Sequence, residues 1–293
     1  MNESHLLEAK RIMDSIKFPA QSRVVLEIRQ EIEEPEPEFK RIAGLIEQDI
    51  ALSATVLKIV NSPFWGLRKE ITSPRHALAM LGLENFSNVI LTSSLRDTVA
   101  NPNMPENEFN KFFEHSLLVA KLCREISKDV IALSGQQYPG TAYLAGLFHD
   151  CGIPVLALRF PDYFDVVPGL YDQEKKLEWL EEERFETNHS VVGCLLVNTW
   201  KLPPLVRQAI FYHHQEDFSI HEDDELVNML SLVMLAEKIV AEQENKRNDG
   251  IPNIYTSMVS DACFEQIVTQ LDLTGEQLVE FEELFDEISE VEL

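Results

Sequence analysis

The sequence predicts an almost all-α protein, and three observations carry that prediction. Apolar residues recur at helical spacing along nearly the whole chain. Convincing alternating strands are absent. Residues suited to cap helices stand where the periodic segments begin.

In FKRIAGLIEQDIALSATVLKIVNS, apolar residues fall at Ile42, Leu45, Ile46, Ile50, Leu52, Val56, Leu57 and Val60. The polar break at Gln48 and Asp49 predicts two helices, with Asp49 capping the second. Pro63 and Gly66 in SPFWGL end that segment, and Phe64 and Trp65 there suit either bundle packing or an interface. The next helix starts at SPRHALAMLGL, with Ser73 as N-cap and Pro74 at the first helical position. ENFSNVILTSSLRDTVA continues as a helix rich in apolar and small residues.

The stretch 100–109, ANPNMPENEF, holds two prolines and three asparagines and is the best internal boundary. It predicts an N-terminal helical half over 1–103 and a second helical half over 104–293. Within the second half, SGQQYPG (134–140) and the acidic HQEDFSIHEDDE (214–225) read as loops. The tail predicts a final helix: Thr274 and Gln277 have capping-box spacing, and Leu278, Phe281, Phe285 and Ile288 form an apolar stripe.

Composition narrows the function classes. The chain has 293 residues, enough for one large domain or two modest ones with real cores. With 25 basic against 50 acidic side chains the formal net charge is −25, which repels phosphate backbones and argues against nucleic acid as a general partner. A small phosphate-containing ligand held at a metal remains compatible with that charge. The four cysteines, Cys123, Cys151, Cys194 and Cys263, include no C-x-x-C pair and read as reduced, buried thiols of a cytoplasmic protein. No uninterrupted apolar run approaches the roughly 18 residues of a membrane span. The N-terminus MNESHLLEAKR lacks the pattern of a signal peptide.

The eight histidines are the most informative feature. His115 lies in FFEHSLLVAKLC, His149 and Asp150 follow AYLAGLF, His189 opens HSVVGCLLVNTW, and His213 and His214 end PPLVRQAIFYHH. Each adjoins a strongly apolar segment and is expected to face the core. His5, His76 and His221 lack such company. One such histidine alone reads as an ordinary core residue. Five on four separate segments, beside an aspartate, offer the neutral imidazole and carboxylate donors that iron, manganese, nickel or zinc accept. On a helix, the adjacent His149 and Asp150 would point about 100° apart, so that one could face a first ion while the other bridges to a second.

The order H…HD…H…HH on helices resembles the HD superfamily of metal-dependent phosphohydrolases. Residues 46–97, with Asp49 opening an apolar helix, the Asn61–Ser62 pair and ALAMLGL, resemble the HDOD family, the HD-related output domain of bacterial signalling proteins. HSLLVA, YLAGLFHDCG and HSVVGCLLVNTWKLPPLVRQAIFYHH continue the likeness, which covers roughly residues 15–215. The resemblance implies an N-terminal helical bundle packed against an HD-like half, and a bacterial regulatory role through a signalling protein partner. It implies metal positions at His115, His149, Asp150, His189, His213 and His214. The superfamily closes its site with an aspartate on a later helix; Glu237 in SLVMLAEKIV stands there, and reads either as a longer oxygen ligand or as a surface glutamate. The ion would be a divalent transition metal in a mono- or dinuclear site.

Three departures disfavour cyclic di-GMP hydrolysis of the HD-GYP kind. Ile153 stands where H-D-x-G-K would place a lysine, QEDFSIHEDD replaces the Gly-Tyr-Pro motif, and Lys111 occupies a carboxylate position one turn before His115. The alternative reading is a metal-dependent phosphohydrolase acting on a phosphoester or nucleotide.

Overall fold

Capping and apolar spacing build the helices of the computed structural model, which describes residues 7, 10–12, 14, 23–32, 34–61, 70–100, 104–130, 139–170, 176–247 and 259–289. Among the described residues all regular structure is helical. The chain divides into two compact units, one mainly of residues 18–99 and one mainly of residues 100–287.

The first unit contains α1 (Arg23–Ile32), α2 (Phe39–Glu47), α3 (Ile50–Val60) and α4 (Pro74–Val99). Asp49 caps α3 as the sequence predicts, accepting the Leu52 N–H at 3.0 Å. Ser73 caps α4 through the His76 N–H at 3.2 Å, with Pro74 in the first turn. Asn61 closes the connection between α3 and α4: its amide donates to the Ile71 carbonyl at 2.7 Å and accepts from the Ile71 N–H at 2.6 Å. This gives a structural reason for the asparagine; Ser62, Phe64 and Trp65 lie outside the described residues. Helix α4 is broken at Gly82, whose φ of 73° is a backbone conformation that favours glycine. The core joins Ile28, Ile42, Ile46, Val56, Leu78, Phe86 and Ile90. The buried Glu31 is paired with the exposed Arg41 at 2.9 Å and accepts the Glu38 N–H at 3.0 Å.

The second unit is built from α5 (Glu106–Val130), α6 (Pro139–Phe148), α7 (Gly152–Arg159), α8 (Tyr163–Leu170), α9 (Leu177–Phe185), α10 (His189–Thr199), α11 (Pro204–Tyr212), α12 (Asp224–Arg247), α13 (Asp261–Gln270) and most of α14 (Gly275–Ser289). Helix α6 packs on α5, α11 and α12, and α10 packs on α7 and α11. Two parts expected as loops are partly helical. Pro139 already opens α6, and a short 3₁₀ turn, Phe218–Ile220, interrupts the acidic stretch before α12 begins. The capping box forms: Gln277 N–H donates to Thr274 Oγ1 at 3.2 Å and Thr274 N–H donates to Gln277 Oε1 at 3.0 Å.

The membrane expectation needs one refinement. Residues 139–159, α6 and α7 with their joining turn, are long and apolar enough by composition to cross a membrane, with a mean hydropathy of 1.3 in the most apolar window. That window is 89% buried within the protein, which makes it a core segment of the second unit. Cys123, Cys151 and Cys263 are buried, whereas Cys194 is only half-buried; all four are free thiols.

Two glycines set the distance between helices around this segment. A Cβ on Gly146 would sit 2.8 Å from the Ala120 Cα and 2.9 Å from the Val119 carbonyl oxygen, so α6 lies directly on the α5 backbone. A Cβ on Gly152 would sit 2.0 Å from the His189 carbonyl oxygen. Gly146→Ala is therefore expected to destabilise by about 1–3 kcal/mol through overpacking, and Gly152→Ala by more. Gly44→Ala, on an open helical face with nothing within 4 Å, should stabilise by about 0.5–1 kcal/mol. Denaturant midpoints check the set; equal midpoints for all three variants would contradict it.

Candidate metal centre

Helix ends position the first two histidine-bearing turns. The last carbonyls of a helix lack intrahelical partners. At the end of α6, His149 Nδ1 lies 2.7 Å from the Gly146 carbonyl oxygen; at the end of α11, His213 Nδ1 lies 2.7 Å from the Ile210 carbonyl oxygen. A carbonyl can only accept, so each Nδ1 must carry the proton. In the neutral rings the Nε2 atoms then present lone pairs. His149–Asp150 and His213–His214 thus stand on the turns that directly follow their helices, with His213 still in the helical backbone region.

His189 is set from the opposite kind of helix end. Asn188 caps α10 by accepting the Val191 N–H at 3.0 Å. The first N–H of the helix, that of His189, donates to Glu181 Oε2 at 2.8 Å, and His189 Nδ1 donates to the same oxygen at 2.6 Å. Glu181 also accepts the hydroxyl of the fully buried Tyr163 through Oε1. A carboxylate at a helix N-terminus is favoured by the exposed N–H groups and the dipole. His189 Nε2 is thereby turned inward as well.

These inward nitrogens meet at Asp150. His149 Nε2 lies 3.2 Å from Asp150 Oδ2, while His189 Nε2 and His213 Nε2 lie 3.3 and 3.4 Å from Oδ1. His214 Nε2 lies 2.8 Å from His189 Nε2. The His115 ring stands beside that of His149, with centroids 5.3 Å apart. The donor atoms form two groups, each with all members within 4.8 Å of one another: His115, His149 and Asp150, and Asp150, His189, His213 and His214. Asp150 is common to both. All are buried except His214, whose side chain keeps 25% of its surface exposed.

Charge distribution follows from burial and neighbours. Burial pushes His115 down to about 3, aided by His149. Burial and the neighbouring imidazoles also lower His213 and His214, although Asp150 opposes the shift. Burial opposes charge on His189 too, but Glu181 and Asp150 outweigh it and raise the ring to about 9. His149 is raised because Asp150 outweighs its burial, and Asp150, despite its own burial, is held well below the ordinary carboxylate range by His149 and the other imidazoles.

Glu237, on α12, is buried rather than a surface residue. Burial raises it to about 7, against the pull of His149 and with the added repulsion of Asp150. It faces the same charges but belongs to neither compact donor group. His76 is exposed, and His221 packs edge-on against Tyr212 at 4.6 Å; neither joins the cluster, and His5 lies outside the described residues. Ile153 is fully buried and brings no cation. Lys111 is largely exposed and paired with Glu108 at 3.0 Å, so its charge is directed to solvent.

Sequence reasoning missed Tyr163, Glu178 and Glu181. Glu181 is hidden in the acidic run of α9, EWLEEER. The available signal was its register: Leu177, Leu180, Glu181 and Phe185 share the buried face of the helix.

A helical fold with a buried histidine–aspartate centre of this order is that of an HD-type protein. The HDOD domain family model matches residues 18–216, and the chain belongs to that family. An HDOD domain protein of unknown function from Geobacter sulfurreducens has a TM-score of 0.68 at 26% identity, with 98% of each chain covered. A candidate phosphohydrolase from Shewanella amazonensis SB2B shares the fold, with a TM-score of 0.71 at 18% identity over 97% of this chain and 95% of that one. Among curated proteins, an uncharacterized protein of Treponema pallidum is 25% identical over 230 residues, 78% of this chain and 42% of that protein. The cyclic di-GMP phosphodiesterase CdgJ of Vibrio cholerae is 28% identical over 171 residues, 56% of this chain and 38% of CdgJ. The chain spans about two fifths of the length of these curated relatives.

Tyr163→Phe tests the support beneath His189. Removing the phenol leaves one buried Glu181 oxygen unsatisfied, at an expected cost of about 1–3 kcal/mol. The denaturant midpoint should fall with an unchanged slope; an unaltered midpoint would show that the hydroxyl contributes nothing.

Proposed function

We propose that this chain is a regulatory module whose HD-type pocket holds one or two divalent transition ions and which acts through a signalling protein partner. One observation carries the metal assignment. Three imidazole nitrogens whose rings already bear a proton at Nδ1 face one carboxylate at 3.2–3.4 Å. Lone pairs confronting an anion repel, so positive charge must stand among them. In the metal-free chain a proton on His189, held up to about 9, supplies it, and Asp150 favours one on His149 too. An ion supplies it better, because each Nε2 is already turned inward.

His115, His149 and Asp150 would hold one ion; Asp150, His189, His213 and His214 would hold the other. The nitrogen-rich donor set suits iron, manganese, nickel or zinc better than magnesium. Glu237 is a nearby oxygen donor that could complete either. Such an ion supplies Lewis acidity and a bound water of lowered pKa.

Turnover asks for more. A phosphoester needs cationic or hydrogen-bonding groups that steady charge developing in the transition state. Ile153 offers none, and Asp150, Glu181 and Glu237 offset much of the charge that ions bring. The aligned stretch covers only 38% of CdgJ, so the phosphodiesterase activity in that protein's name is not carried over to this chain. These features favour a sensing or partner-binding role for the pocket. The second reading, a metal-dependent phosphohydrolase on a phosphoester or nucleotide, is favoured by the completeness of the donor set.

Elemental analysis after aerobic and anaerobic purification should find bound transition metal in the wild-type chain. Asp150→Ala should lose it and His149→Ala should lose the ion of its own group, whereas His76→Ala and His221→Ala should keep it. Phosphodiester turnover should stay below about 1 per second, a low value for a dedicated enzyme. Faster turnover would favour the hydrolase, and a metal-free wild type would remove the metal reading.

Acidity should control loading. Because His189 keeps its proton up to about 9, an ion entering below that pH must displace it. Affinity should therefore rise with pH and level off near 9, rather than near the ordinary imidazole value of about 6.5. Competition with a chromophoric chelator between pH 6 and 10 measures this; a plateau already at pH 7 would contradict it.

A further inference from the structure

The ring nitrogens that face away from Asp150 reveal a second role for α9. His149 and His213 rest on backbone carbonyls, which are parts of the helices that carry them. His189 instead rests on a side chain from another helix, Glu181. Glu178 lies one turn earlier on α9, and its Oε2 is 4.0 Å from His214 Nδ1. That oxygen is inaccessible to solvent and has no hydrogen-bond partner among the described residues, while the Glu178 side chain as a whole is only 12% exposed. The i, i+3 spacing places both carboxylates on one face of the helix. Each stands behind the outer nitrogen of one of two rings whose Nε2 atoms are 2.8 Å apart.

We propose that Glu178 and Glu181 are paired positioning residues for His214 and His189, so that α9 governs the His189–His214 side of the metal centre. This inference rests on the metal reading above. Glu181 fixes the His189 tautomer through a made hydrogen bond. Glu178 does the same for His214 once that ring engages an ion through Nε2 and its Nδ1 proton turns toward the buried oxygen. Glu178 is not itself in the compact donor group, which agrees with a place behind the ring rather than on the ion. On the other side, among the described residues, His149 is held by the Gly146 carbonyl, and Glu244, on α12, lies 4.0 Å from His115 Nδ1.

Cobalt(II) binding to the whole chain tests this. Wild type, Glu181→Gln, Glu178→Gln and Glu183→Gln are titrated at pH 8, and the cobalt content and visible d–d spectrum are read. Glu183 is an exposed residue of the same helix and controls for the loss of one negative charge. Wild type should take up two ions. Glu181→Gln should weaken one of them by about 10- to 100-fold, the usual effect of removing an outer partner of a ligating histidine. Glu178→Gln should weaken the same ion by less, and Glu183→Gln should match wild type. The surviving ion should keep its spectrum in every variant and be lost in His149→Ala. Circular dichroism confirms that the variants are folded, and Glu178→Gln, near the surface, serves if Glu181→Gln is not. Wild-type affinity and spectrum in both Glu178→Gln and Glu181→Gln, alongside cobalt loss in His149→Ala, would overturn the role of α9 while leaving the metal reading intact. Equal weakening by Glu183→Gln would reduce the effect to net charge and overturn it too. Absence of cobalt from wild type would overturn both.

Discussion

A buried carboxylate ringed by imidazole nitrogens is the constraint on which the second unit depends. Asp150 is buried, and three Nε2 atoms point at it from the ends of α6 and α11 and the start of α10. A buried carboxylate there needs compensating positive charge, which a proton on His189, held up to about 9, supplies in the metal-free chain. The surrounding structure supplies the geometry at low cost in added groups. Two rings are oriented by helix-terminal carbonyls that need partners in any case. A third is oriented by a carboxylate that also satisfies a helix-terminal N–H.

Close packing then keeps those ends in register. Gly146 lets α6 rest on the backbone of α5, the helix that carries His115. Gly152 lets the start of α7 touch the backbone of His189 itself. The glycine two positions after Asp150 therefore belongs to the site by shape, although it has no side chain to offer. Packing and chemistry are coupled here: what brings the helices together also decides where the nitrogens point.

Much of this was legible in the sequence because its signals are local. Asp49, Ser73 and the Thr274–Gln277 pair cap helices where their residue types predict. The five clustered histidines each adjoin an apolar segment, and that pattern led to their convergence. What stayed hidden depends on tertiary contacts. Glu181 lies in a run of acidic residues that reads as a solvated face, and only its fit to the Leu177, Leu180 and Phe185 face distinguishes it. Glu237 was read as a ligand or a surface residue, and burial excluded the second. Lys111 was placed only by its spacing from His115, and its side chain extends into solvent beside Glu108. The break at Gly82 is a matter of one backbone dihedral, which helical periodicity does not encode.

The five rings differ greatly in their access to water. His115 is 1% exposed, whereas a quarter of the His214 side chain meets solvent. Traffic with the surroundings is correspondingly uneven in time. Protons and small solutes reach the His214 edge on the timescale of diffusion and side-chain motion, but reach His115 only when helices part, and such openings are rarer and slower. The centre therefore carries two clocks, a fast one at its rim and a slow one at its floor, with the Asp150 carboxylate common to both.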